Sequence, residues 1–306
     1  ILSYGYEMCN FVLTIDEEAN WNSSTMDYFV RRISDGRFTL GVLKLFLPRV
    51  FLPFWSTFLF LIIMLVAVAL MDIVLQKYVD SIVARVIMAS IFISFPVHAY
   101  YVMFSQQSVE FAVGYCLTIY AFLLMEKEKN ENSNCKWFNY IGAMVLLSVA
   151  NGVYQAFFCV YIALVCGVEL AKLVHERKKG CKEFLIWKRI QLVGRQIGFV
   201  CATVILYGVF VKVLQIMITP SRNYIEGFWG WGNIDFRQNI KFLVDYIIAK
   251  AFSTVNSIGF SNYVVFTIMW IALMLFLVIR CKGIAKLWSL FVGGGAFLSV
   301  FLLSIL

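Results

Sequence analysis

The chain has 306 residues, of which 61% are hydrophobic, 17% aromatic and only 14% charged, with a mean hydropathy of +0.82. Soluble domains carry about a quarter charged residues, so this composition, gathered in long apolar blocks, excludes an ordinary globular protein and points to a polytopic membrane protein. The net charge of +8 would suit nucleic acid, but the basic residues sit in loops between apolar blocks, where a topology signal accounts for them and no nucleic acid is expected.

In chain order, the apolar run Ile1 to Leu13 is too short to span and reads as the end of a first transmembrane helix whose start is missing. The stretch Ile15-Asp16-Glu17-Glu18-Ala19-Asn20-Trp21 follows. Three adjacent carboxylates beside a bilayer are costly, which makes them a functional hypothesis by default. Ser24 with Asp27 resembles a capping box, Met26, Phe29, Val30 and Ile33 recur at helical spacing, and Gly36 is placed to end the helix. With Arg31, Arg32 and Asp35 off that stripe, the segment is expected to lie in the headgroup region. A short apolar stretch from Phe38 to Leu47 precedes Pro48 and Pro53.

Complete spans are expected at 54–74, 83–101, 109–125, 137–150, 153–173, 192–214, 263–279 and 287–306, with Asn151-Gly152 as the tip of a tight helical hairpin. The whole is read as one transmembrane domain: a truncated span 1–13, an outer loop 14–50 with the acidic motif and interfacial helix, spans 54–214, an outer loop 215–262 and last spans 263–306. The eight cysteines are scattered without CxxC or Cys/His spacing, and His98 and His175 are isolated, so neither a metal site nor disulfides are expected.

Lysines and arginines in three loops (Lys127 to Lys136, Arg177 to Arg189, Arg280 to Lys286) alternate onto one side, the cytoplasmic side by the positive-inside rule. The acidic stretch, the turn Phe95 to Tyr101, the Asn151-to-Gln155 tip and the loop 215–262 then share the outer face. That loop contains Arg222, Tyr224, Glu226, Trp229 and Trp231 among glycines. Aromatic faces pack on pyranose rings while charges and amides bind hydroxyls, so it reads as a sugar platform, with an interfacial aromatic belt as the ordinary alternative.

The outer Asp-Glu element after the first span, the step Gly36-Arg37-Phe38, the turn Phe95-Pro96 and the helix start Tyr154-Gln155 resemble, in that order, the phage-type serotype-converting glucosyltransferases, the Gtr family, and through them the wider GT-C class. The resemblance implies an all-α, GT-C-like bundle of about nine or more transmembrane helices with an outer interfacial helix. It implies transfer of a glucosyl or similar residue from an undecaprenyl-phosphate sugar to lipid-linked O-antigen or a related surface polysaccharide, with inversion, in serotype conversion. The protein would work in a bacterial cytoplasmic membrane, its site on the periplasmic or outer face. The acidic element is Asp-Glu-Glu where a pair is expected, which leaves the choice of base open.

Such chemistry needs a carboxylate to take the acceptor's proton, with Asp16 first and Glu17 sharing the role or holding the acceptor. The lipid phosphate leaving group needs positive charge, from Arg37 and secondarily Arg222. No metal or other cofactor is required. Candidate substrate-binding residues are Asn20, Trp21, Arg37, His98, Tyr154, Gln155, Arg222, Tyr224, Glu226 and Trp229. Ordinary accounts stand beside these: acids marking the membrane boundary, Arg37 snorkelling to headgroups, Tyr154 and Gln155 packing a hairpin, His98 a structural histidine, and Glu110, Glu169 and Asp245 solvated. A transporter or flippase using the outer acids is the rival from another class, although neither internal repeats nor charged span interiors are seen. A non-catalytic assembly subunit is the other.

Overall fold

The structure is a computed structural model and describes residues 4, 23–46, 53–94, 98, 101–102, 104, 106–127, 133–178, 186–218, 238, 241, 244–245, 247–249, 262–281 and 283–299. Among them every regular element is a helix: α1 (Thr25–Ser34), α2 (Phe38–Phe46), α3 (Pro53–Leu75), α4 (Ile82–Ile93), α5 (Ser108–Lys127), α6 (Ser133–Val153), α7 (Phe157–Lys178), α8 (Ile186–Ile218), α9 (Asn262–Arg280) and α10 (Ile284–Ser299). A helix bonds its own peptide groups, as hydrocarbon demands. Four helices are long and apolar enough to cross a membrane, within Phe54–Leu75, Ser108–Glu126, Phe157–Arg177 and Ile186–Ile218. Four shorter apolar ones occupy Ile82–Ile93, Trp137–Val153, Val264–Arg280 and Ile284–Ser299. This is an all-α membrane protein, its apolar helices in the order of the apolar blocks; of the expected span 1–13 only Tyr4 is among the described residues.

Several boundaries differ from expectation by a few residues, two of them for a readable reason. Helix α4 stops at Ile93 because proline disfavours helical backbone in the residue before it, and Phe95-Pro96 follows directly. The break between α6 and α7 falls at Tyr154–Ala156, not at Asn151-Gly152. Asn151, fully buried, stays in the last turn of α6, where its amide donates to Leu147 O (2.6 Å) and accepts from the Phe158 N–H of α7 (3.0 Å). One side chain thus closes the end of one helix and opens the next.

The chain divides into two compact units, Ile1–Tyr161 with Gln196–Asn223, and Ile162–Arg195 with Tyr224–Leu306. In the first, α5 packs along α3 and α6, and α2 against α6. Helix α5 buries Phe111, Tyr115, Ile119, Phe122 and Met125. Helix α3 buries Phe60, Met64 and Ala67 but leaves Leu59, Ile62, Leu65 and Val66 exposed, an apolar face of the kind that suits lipid.

In the second unit, Leu170, Leu173, Met274, Leu277, Trp288 and Val292 form the core, with the Trp270 indole N–H donating to Gly293 O (2.9 Å). Glu169 is buried in this unit, not solvated as expected from its place near a span end. It accepts from Lys172 (2.7 Å) and from Arg189 (2.9 Å), whose other terminal nitrogen meets Glu176 at 2.5 Å. Burying a carboxylate is tolerable only with such partners.

Candidate functional site

The site is built on the elbow between α1 and α2. Ser24 caps the helix: its hydroxyl accepts from the Asp27 N–H (3.0 Å) and donates to the Asp27 carboxylate (2.6 Å). The helix ends at Gly36, whose φ of +75° lies in the left-handed region that favours glycine. There Gly36 N–H donates to Ile33 O (3.0 Å) and Arg37 N–H to Arg32 O (2.7 Å), the pair of bonds that defines a Schellman ending.

The face of α1 turned to protein follows the apolar stripe only in part: Ile33 is buried and Phe29 and Val30 are half-buried, but the stripe's first member is not covered. Met26 is 61% exposed, whereas Tyr28, Arg32, Ile33 and Ser34 are buried. Arg32 is admitted because its guanidinium stacks 4.8 Å from the Tyr28 ring centre and reaches Asp35 at 3.5 Å.

Three side chains hold the next three carbonyls of the elbow. Gln215 of α8 donates to Ser34 O (3.0 Å), Gln155 to Asp35 O (2.8 Å) and Tyr207 of α8 to Gly36 O (2.8 Å). On the α2 side, Thr39 donates to Val149 O (2.8 Å), and Phe38 packs edge-on against Phe210 at 4.8 Å. Glycine at 152 permits this approach: a Cβ there would run into Thr39 Oγ1 and lie 2.7 Å from the Phe38 ring.

Arg37 leaves the elbow towards the protein, its guanidinium 4.9 Å from the centre of the Tyr154 ring. No carboxylate among the described residues lies within ion-pair distance of it. Burial, then the neighbouring Arg32, pulls its pKa below the ordinary arginine value, against the opposing pull of Tyr154, Asp35 and Tyr28. Burial raises the Asp35 carboxyl despite Arg32, Arg37 and Arg31, and raises the Tyr28 phenol, on which Arg32, Glu110 and Arg37 also act.

Glu110, expected to be solvated, is 1% exposed and forms an ion pair with Lys44 at 2.5 Å. Lys44 of α2 and Glu110 in the first turn of α5 thereby fix the elbow's second helix to the central one. Among the described residues Arg32, Arg37 and Lys44 face Asp35 and Glu110, an excess of one positive charge in a buried to half-buried region. Such a place suits an anion. Among the described residues no group of His, Cys, Asp and Glu is arranged to hold a metal.

His98 is buried among the rings of Phe60, Phe92, Tyr101 and Tyr115. Ring contacts His98–Tyr101 (6.0 Å), Tyr101–Phe111 (4.5 Å) and Phe111–Tyr154 (5.6 Å) lead from it to the partner of Arg37. The structure therefore gathers Arg37, Tyr154 and Gln155, with His98 at the far end of an aromatic run. Asp16, Glu17, Asn20, Trp21, Arg222, Tyr224, Glu226 and Trp229 lie outside the described residues.

Sequence reasoning missed Tyr207, Gln215, Lys44 and Glu110. The spacing Tyr207, Val211, Gln215 on one side of an apolar helix was the available signal, since a polar pair at i and i+8 within a span needs partners.

A family model described as glucosyl transferase GtrII matches residues 5–306. No curated protein and no solved structure matches the chain. The match runs through the Gly36-Arg37-Phe38 elbow, the Phe95-Pro96 pair and the Tyr154-Gln155 junction alike, and on its extent this membrane protein belongs to the GtrII family of glucosyltransferases.

Proposed function

We propose that the protein moves a glucosyl residue from undecaprenyl-phosphate glucose to lipid-linked O-antigen or a related surface polysaccharide, on the outer face of the bacterial cytoplasmic membrane. The reading rests on family membership for the sugar and on one observation for the donor: the Arg37 guanidinium, drawn in from solvent, stacked on Tyr154 and without a carboxylate of its own among the described residues. A lipid phosphate supplies the missing negative charge. As the glycosidic bond to that phosphate breaks, charge accumulates on its oxygens, and a pre-placed guanidinium stabilises it with no reorganisation.

Asp16, or Glu17 beside it, takes the proton of the acceptor hydroxyl as that oxygen attacks the anomeric carbon, a contribution of about 10²–10⁴-fold. Inversion follows from direct attack opposite the leaving phosphate. Asn20 and Trp21 beside the acids, and Arg222, Tyr224, Glu226 and Trp229 of the outer loop, bind the sugars in this scheme, with His98 at the end of the aromatic run.

The test is to express Asp16→Asn and Glu17→Gln separately in cells and follow glucosylation of the surface polysaccharide by mass spectrometry and linkage analysis. At least one variant is expected to abolish the modification. Full modification in both would remove a carboxylate base at this position.

A further inference from the structure

The last carbonyls of a helix have no partner inside it and are ordinarily left to water or to a backbone turn. At the end of α1 the Schellman bonds take Arg32 O and Ile33 O, and the next three, Ser34 O, Asp35 O and Gly36 O, are each taken by one side chain from far along the chain. The donors stand 181, 120 and 171 residues away. Arg37 is the residue that follows the third of these carbonyls. Its ring partner Tyr154 precedes one of the donors, Gln155. Both members of the cation–π pair are therefore tied within two positions by the same hydrogen bond, and Tyr207 holds the glycine between Asp35 and Arg37. Gly36 has no slack to drift, since a Cβ there would lie 2.8 Å from the Tyr207 hydroxyl and 3.1 Å from the Gln155 amide.

We propose that Gln155, Tyr207 and Gln215 are positioning residues for glucosyl transfer: by clamping three successive elbow carbonyls they hold the Arg37 guanidinium over Tyr154, where it meets the donor's phosphate. The proposal rests on the reading of Arg37 as the phosphate-binding cation. It assigns the Gln155 amide to the backbone of this chain rather than to a sugar. Tolerance at such a site is narrow, since a shift of about 1 Å in a charge-stabilising group costs up to about 10²-fold in rate.

The experiment uses the full chain in lipid nanodiscs, with radiolabelled undecaprenyl-phosphate glucose as donor and lipid-linked polysaccharide as acceptor. Tyr207→Phe, which removes only the hydroxyl, and Gln215→Leu are each made in the wild-type and in the Arg37→Ala background. Each is expected to lower transfer about tenfold in the wild-type chain, with little change in unfolding temperature, and to cost nothing further once Arg37 is gone, because residues acting through one group are not additive. An equal loss in both backgrounds would show the hydroxyl and amide acting independently of Arg37 and would overturn the proposal, as would undiminished transfer in the single variants. Undiminished transfer by Arg37→Ala alone would instead remove the phosphate reading, and the positioning role with it.

Discussion

Among the described residues two clusters of charge, each built around a buried member, are finished to different degrees. In the second unit Glu169, Lys172, Glu176 and Arg189 pair with one another, two cations with two anions, at 2.5–2.9 Å. In the first unit Arg32 reaches Asp35 and Lys44 reaches Glu110, but among the described residues Arg37 has an aromatic face and no anion. A closed network is a scaffold: its charges exist to satisfy each other, and each loss is felt as instability. An open one carries a cost that folding alone does not repay, and it is kept where a ligand completes it.

Removing charges separates the two. Arg189→Met strands Glu169 beside Lys172 and frees Glu176, and is expected to cost about 3–5 kcal/mol of stability, read as a lowered unfolding temperature in detergent with failure to accumulate in the membrane. Arg37→Met, by contrast, strands no partner. Its stability is expected within about 1 kcal/mol of wild type, the worth of an exposed-to-partly-buried cation–π contact, while transfer falls about 10²–10³-fold, as for loss of one charge-stabilising donor. If Arg37→Met unfolds as readily as Arg189→Met, the distinction between the clusters fails.

A smaller effect probes the wall of the open cluster. Gly152→Ala drives a methyl group into Thr39 and Phe38 and is expected to cost about 1–3 kcal/mol by overpacking, measured by thermal unfolding. Because α2 must then back away from α6, transfer should fall more steeply than the folded fraction.

The smallest effect is a pH dependence. Burial raises the Asp35 carboxyl above its ordinary value of 3.8, so the folded protein favours the protonated form. That contribution is fully present below pH 3.8 and is lost as pH rises through the raised folded value. Unfolding temperature over this acid range should decline less with rising pH in Asp35→Asn than in the wild-type chain. Identical profiles would place Asp35 in a more solvated setting than the elbow provides.

Much of the frame of the first unit was legible from residue order. Ser24 with Asp27 announced a helix start and Gly36 its end because capping is local chemistry, decided within four residues. The burial of α1 was legible only in part: its apolar stripe named Ile33, which is buried, but also Met26, which is exposed, and it did not name Tyr28 and Arg32, which are buried, since in a membrane protein an apolar side chain has lipid as an alternative to the core. Glu110 and Glu169 were misread as solvated for a related reason. Nearness to the end of an apolar block says how far a carboxylate is from water along the chain, not whether Lys44 or Arg189 arrives beside it.

By itself, then, the sequence determined an all-helical membrane chain, the order of its apolar helices, the two ends of α1 and the likeness that the family match bears out. These follow from hydrocarbon length, backbone hydrogen bonding and short-range capping, each readable in one window of residues. Only the tertiary structure decided that Gln155, Tyr207 and Gln215 meet at one elbow and that Arg37 stands there over Tyr154, with no anion among the described residues. Those pairings join residues more than a hundred positions apart, and which side chain meets which carbonyl depends on the rotation and height of whole helices against one another, which no local pattern encodes.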